Sequence, residues 1–142
     1  MPPALVHYAT EEEYFRHYEK RYCQATITTF DGIRVFFPRQ QFQDAFYESA
    51  DRHVRDKTLF SRQRAERIEW IGAALEDAAA ELYVGWDRKR KAYHWNRRIA
   101  LVYGDYVVVI QISADRLKAD FITAYVAGAS TIAKIRTNPK WK

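Results

Sequence analysis

The stretch KAYHWNRRIALVYGDYVVVIQI, residues 91–112, constrains the fold of this chain more than any other part of it. It reads as extended chain of near period two, and Gly104-Asp105 supplies a two-residue hairpin turn. A turn that short sets the register, because a slip of one residue would move every side chain to the wrong face. Tyr103 is predicted opposite Tyr106, Leu101 opposite Val108 and Ile99 opposite Ile110, making one strongly apolar face. Val102 with Val107, Ala100 with Val109 and Arg98 with Gln111 make the other, apolar near the turn and polar at its far end.

The next strand, residues 121–126 of FITAYVAG, returns antiparallel. Simple alternation places Phe121, Thr123 and Tyr125 on one face and Ile122, Ala124 and Val126 on the other. The smaller aliphatic set suits burial beneath a helix, which leaves one ring and two hydroxyl-bearing side chains facing outward. Those hydroxyls call for a partner within the sheet or for a substrate.

Upstream of the hairpin the period is helical. Tyr14, Phe15, Tyr18 and Tyr22 recur at helical spacing, and Thr10 ahead of Glu13 forms a capping box, so a short helix opens the chain. TITTF-DG-IRVFF then places Asp31-Gly32 between β-branched and aromatic runs, the pattern of a hairpin with a type I′ turn. Pro38 ends its second strand and opens a helix with the stripe Phe42, Ala45, Phe46 and Ser49. Residues 51–60 read as a loop closed by Ser61 as an N-cap. From there one long helix is expected, with the narrow stripe Ala65, Ile68, Ile71, Leu75, Ala78 and Leu82 packing lengthwise on the sheet. The terminal TIAKIRTNPKWK offers a short edge strand. The expected fold is α+β: an N-terminal helix and β-hairpin, then helices packed on a meandering antiparallel sheet of about four strands, in a single domain over residues 1–142.

Charge is distributed unevenly. Residues 1–85 carry 11 Lys and Arg against 14 Asp and Glu, whereas residues 86–142 carry 12 against 4. The strand-rich end is therefore the basic end, which suits a polyanion such as RNA or an acidic protein partner. The single cysteine, Cys23, has no internal disulfide partner and no catalytic sequence context. No signal peptide or long apolar run is apparent, so a cytoplasmic protein without membrane attachment is expected.

Two basic features carry chemical interest. Arg62, Arg64 and Arg67 sit in the first two turns of the helix that begins at Ser61, where the backbone dipole disfavours cations by about 0.3–1 kcal/mol each. A bound anion would remove that mismatch. DRKRKAYHWNRR interleaves Arg88, Lys89, Arg90, Lys91 and Arg98 with Tyr93, His94 and Trp95, combining groups that neutralise phosphates with rings that stack on unpaired bases. His7, His17, His53 and His94 lack the paired spacings of zinc sites, and no carboxylate run suggests a magnesium nuclease, so neither metal nor cofactor is expected. Glycine-rich phosphate loops and nucleophile elbows are also missing, which disfavours nucleotide and serine hydrolases. RNA needs none of these to be cleaved, because its own 2′-hydroxyl is the nucleophile; Arg, Lys, His, Thr and Tyr suffice to hold the backbone, move protons and stabilise charge.

The succession FDGIRVFFPRQQFQDAFYES, FSRQRAERIEWI, GWDRKRKAYHW, YVVVIQI and FITAYVAG resembles the phage and mobile-element branch of the barnase–EndoU–colicin D–RelE superfamily of metal-independent ribonucleases. The resemblance spans roughly residues 26–141, is most specific in RAERIEWI and FITAY, and leaves residues 1–25 as a helical extension of a nuclease core at 26–142. It implies RNA lying across the sheet and cleavage to a 2′,3′-cyclic phosphate. It further implies that Arg64 and Arg67 contact the scissile phosphate while Thr123 and Tyr125 face it from the fourth strand. Where related sequences carry a histidine in an H-A-F triplet, this chain has Asp44-Ala45-Phe46, so proton transfer falls to Asp44, His53 or His94. The expected function is a small endoribonuclease toxin with RNA as substrate and an antitoxin or immunity protein as partner. The alternatives are a catalytically silent RNA- or protein-binding module of the same fold and a phage accessory protein whose basic face meets an acidic partner.

Overall fold

The computed structural model describes residues 2–48, 58–84, 86–87, 92–93, 98–113, 115 and 117–141. In chain order these form α1 (Glu11–Tyr18), a π-helical turn (Glu19–Cys23), β1 (Ile27–Thr28), β2 (Arg34–Phe36), α2 (Gln41–Phe46), β3 (Tyr47–Glu48) and β4 (Leu59–Phe60). There follow α3 (Arg62–Glu66), α4 (Ile68–Glu76), β5 (Glu81–Val84), β6 (Trp86–Asp87), β7 (Ala92–Tyr93), β8 (Arg98–Tyr103), β9 (Tyr106–Ile112), β10 (Lys118–Val126) and α5 (Ala129–Ile135). The fold is α+β, as expected. Among the described residues the main sheet has six strands in the order β1-β2-β10-β9-β8-β5, more than the four anticipated. It is also mixed, because β2 joins β10 in parallel while its other pairings are antiparallel. β3 pairs with β4 and β6 with β7 in two small ribbons.

The N-terminal segment is built into the core. Thr10 Oγ1 accepts from the Glu13 N–H at 3.2 Å and Glu13 returns a bond to the Thr10 N–H at 3.1 Å, completing the capping box. Tyr14, Tyr18 and Tyr22 follow at i+4 steps, each of which drifts about 40° around an α-helix of 3.6 residues per turn. The wider π turn takes up that drift, and all three rings are buried. Their hydroxyls donate to the carbonyls of Val6, Pro38 and Ile68, at 2.9, 2.8 and 2.5 Å. A buried ring with a polar tip demands such partners.

The β1–β2 hairpin forms, with Ile27 opposite Val35, but its turn is longer than two residues. Gly32 N–H donates to Thr29 O at 3.0 Å and Thr29 N–H to Ile33 O at 2.8 Å, so Phe30, Asp31 and Gly32 make a three-residue loop. Gly32 sits at φ +90, the positive-φ position that such a loop requires.

The long helix expected after Ser61 is two short ones. Ser61 does cap α3, but Arg67 leaves helical geometry at φ −97 and ψ 23, and α4 ends at Glu76. Ala65, Ile68, Ile71 and Leu75 are buried as the stripe predicts, whereas Ala78 is exposed. Asp77 turns the chain by accepting from the Ala79 N–H at 2.9 Å, and Leu82 reaches the core from β5. In ELYV, pairing of Glu81–Val84 with the open edge of β8 outweighs continued helix, as suits its Leu, Tyr and Val.

β8 and β9 pair in the six-residue register read from the sequence, from Tyr103 opposite Tyr106 to Arg98 opposite Gln111, with Gly104 at φ +64. β10 does not alternate simply. Its register against β9 shifts between Phe121 and Thr123, a bulge that turns Phe121 to the same core as Ala124 and Val126. Phe121 is fully buried against Phe37 and Tyr18 rather than facing outward. The C-terminal segment forms α5, which covers the second face of the sheet near the β8–β9 turn by packing Ile132 and Ile135 on Val102 and Val107. The expected edge strand shrinks to a short stretch beside β5, where Val84 N–H donates to Pro139 O and Trp141 N–H to Leu82 O. No helix among the described residues is long and apolar enough to cross a membrane.

Candidate functional site

β2 pairs only with Lys118, Ala119 and Asp120 of β10, so the edge of residues 121–126 faces α2 and α3 instead of a strand. Gln41 takes the place of that strand. Its Nε2 donates to the Ile122 carbonyl at 2.6 Å and lies 3.5 Å from Asp44 Oδ2. One turn further along α2, the Ala45 carbonyl accepts from Arg64 Nη1 at 3.2 Å, and Arg64 Nε pairs with Glu48 Oε1 at 3.3 Å. The same guanidinium lies 5.8 Å from the centre of the Tyr125 ring. Arg64 holds this position because Ser61 Oγ accepts its backbone N–H at 3.3 Å and starts α3 there. The β10 edge thus gathers Gln41, Asp44, Glu48, Arg64 and Tyr125 from three separate parts of the chain.

Thr123 and Tyr125 lie opposite Val109 and Val107, whose side chains belong to the second face of the sheet. Thr123 Oγ1 is buried and has no hydrogen-bond partner among the described residues. An unmatched hydroxyl of this kind costs about 1–3 kcal/mol, so the position is worth explaining. Further along the same face, Arg98 Nη2 donates to Gln111 Oε1 at 3.1 Å while its Nε is buried without a partner among the described residues.

Arg67 stands differently from Arg64. It folds back on its own helix, donating to Gln63 O at 2.8 Å and pairing with Glu66 at 3.6 Å, and it lies 5.1 Å from the Trp70 ring. Its Nε is buried and has no partner among the described residues. Both arginines nonetheless act on Tyr106: burial drives that phenol well above its ordinary pKa, the neighbouring Tyr22 adds to the rise, and the two guanidinia oppose it. His53, His94, Arg88, Lys89, Arg90, Lys91 and Trp95 lie outside the described residues.

A second constellation was invisible in the sequence. His17 Nε2 lies 2.7 Å from Glu69 Oε2, its Nδ1 lies 2.8 Å from the Tyr8 hydroxyl, and Arg21 Nε donates to Glu69 Oε1 at 3.3 Å. Burial raises the Glu69 pKa, but the His17 hydrogen bond and the Arg21 charge outweigh it and leave the carboxyl below its ordinary value. His17 and Glu69 are 52 positions apart, so no local spacing announced the pair. Gln41 and Glu48 were missed for the same reason: only the packing of α2 against β10 and α3 gives them their neighbours. Comparison with known proteins finds no matching family model, curated protein or solved structure.

Proposed function

We propose that this chain is a metal-independent endoribonuclease of the barnase–EndoU–colicin D–RelE kind, a cytoplasmic toxin of a phage-derived or mobile element. It would act on RNA without a cofactor and be restrained by an antitoxin that covers its basic face. The observation that carries the reading is the placement of Arg64 between the Ala45 carbonyl, Glu48 and the Tyr125 ring at the strand-free edge of β10. Glu48 is nearly half exposed, and such a pair is worth only about 0–1 kcal/mol, so a phosphate can displace it from the guanidinium.

With a phosphodiester at this edge, Arg64 binds the non-bridging oxygens through its planar fork. Asp44 or His94 accepts the proton of the 2′-hydroxyl as it attacks phosphorus. The 5′-oxygen leaves with a proton from the other acid, and a 2′,3′-cyclic phosphate remains. Thr123 Oγ1 is buried, so it would reach a phosphate oxygen only if the edge opened around the bound RNA. Arg67 contributes positive potential from the neighbouring turn.

Purified protein incubated with labelled RNA in EDTA is expected to release fragments with cyclic-phosphate ends. Fragment yields no different from a blank would end the nuclease reading. The second reading, a silent RNA- or protein-binding module, draws on Asp44 standing where the resemblance implies a histidine. RNA binding with strong salt dependence but no cleavage would favour it.

A further inference from the structure

α1, its π turn and the start of α4 line an open surface cleft of about 700 Å³, whose walls include Tyr8, Arg16, His17, Lys20, Arg21 and Glu69. None of these residues belongs to the β10 edge. The two lining carboxylates already have partners. Glu69 accepts from His17 and Arg21, and Glu13 is held in the capping box by Thr10. Because a carboxylate only accepts, Nε2 of His17 donates to Glu69, and Nδ1 faces the Tyr8 hydroxyl at 2.8 Å.

The cations are less well matched. Lys20 has no ion-pair partner among the described residues, and the Arg16–Glu12 pair is 74% and 71% exposed, too solvated to hold either side chain firmly. Arg21 is seated with care. A Cβ on Gly72 would lie 2.6 Å from Arg21 Nη2, and the guanidinium carbon lies 4.9 Å from the Tyr22 ring. The residue itself sits in the π turn, a geometry that tends to occur at functional positions. Lys20, without an ion pair among the described residues, and the loosely paired Arg16 thus stand beside two flat rings, those of Tyr8 and His17, whose centroids are 5.7 Å apart.

We infer that this cleft binds a nucleoside phosphate unit, its base against Tyr8 and His17 and its phosphate on Arg16, Lys20 and Arg21. The unit is either a free nucleotide or one residue of an RNA strand, and the site is independent of the proposed cleavage at β10. The test is titration by two-dimensional NMR and calorimetry with adenosine 5′-monophosphate, adenosine, and a short 2′-deoxy oligonucleotide that cannot undergo 2′-hydroxyl attack. Signals of Tyr8, His17 and Lys20 should shift with the monophosphate, or with the oligonucleotide alone if only a strand supplies the unit. Adenosine should bind at least tenfold more weakly, as should the phosphorylated probe to the Arg16→Ala/Lys20→Ala double variant. Gly72→Ala, which displaces Arg21, should weaken binding as well, whereas Arg64→Ala should leave it unchanged. The inference is overturned if neither phosphorylated probe binds, if adenosine binds as tightly as its phosphate, or if binding follows Arg64 rather than Arg16 and Lys20.

Discussion

Replacing Arg64 by alanine separates a catalytic arginine from a structural one, because the two roles carry different magnitudes. The structural loss comprises a charged hydrogen bond to the Ala45 carbonyl, a half-solvated pair with Glu48 and a ring contact near the outer limit of cation–π attraction. Those contribute about 1.5, 0–1 and 0.5 kcal/mol, so Arg64→Ala should lower stability by about 2–3 kcal/mol. A domain stable by about 5–15 kcal/mol stays almost wholly folded after such a loss. Removing a preplaced donor to transition-state charge, by contrast, lowers turnover by about 10²–10³, or about 2.7–4 kcal/mol of barrier. Arg64→Lys keeps the charge without the fork and should fall between wild type and alanine. The assay is single-turnover cleavage of labelled RNA in EDTA, with urea unfolding measured on the same samples. The reasoning fails if Arg64→Ala cleaves within threefold of wild type, or if the loss disappears once rates are corrected for the folded fraction.

Three further outcomes follow from the packing. Phe121→Ala empties a fully buried position stacked on Phe37 at 4.9 Å and should cost about 3–5 kcal/mol in chemical denaturation; a cost below 1 kcal/mol would contradict the bulged register of β10. Tyr22→Phe removes the hydroxyl that donates to Ile68 O and accepts from the Gly72 N–H; those two groups are also i, i+4 partners within α4, so neither is stranded and the loss should be about 0.5–1.5 kcal/mol in chemical denaturation, and a cost above about 3 kcal/mol would refute that accounting. Glu69 has a depressed pKa in the folded state, so its stabilising contribution is present above its ordinary value of 4.5 and is lost as pH falls through the folded value. The stability gap between wild type and Glu69→Gln should therefore be widest above about pH 4.5 and close below it, and a gap independent of pH would refute the ionic role.

How far the candidate site was readable differs by residue. Arg64, Thr123 and Tyr125 were singled out from a helix-start charge mismatch and from hydroxyls in an apolar strand, and packing places Arg64 beside Tyr125. Arg67 was grouped with Arg64 by the same charge mismatch at the helix start, but the break in helical geometry at Arg67 directs its contacts to Gln63, Glu66 and Trp70. Thr123 and Tyr125 share a face as alternation predicted, yet Phe121 does not join them. The extra residue of a bulge is decided by how β10 meets β9 and is not written in the alternation of β10 alone.

Local chemistry determined what lay within a few residues of its cause. The β8–β9 register follows from a two-residue turn and period-two alternation, and the starts of α1 and α3 follow from Thr10 and Ser61 acting on N–H groups three residues away. Competition between distant surfaces decided the rest. ELYV left the helix because β8 offered an unpaired edge, the C-terminal segment coiled into α5 because the second sheet face needed apolar cover, and β2 ran parallel to β10 through contacts more than eighty residues apart in the chain. The same distance separates Gln41 from the Ile122 carbonyl it caps. Such contacts form only after the chain has closed long loops, at an entropic cost that burial of the whole core offsets and that no short stretch of sequence records.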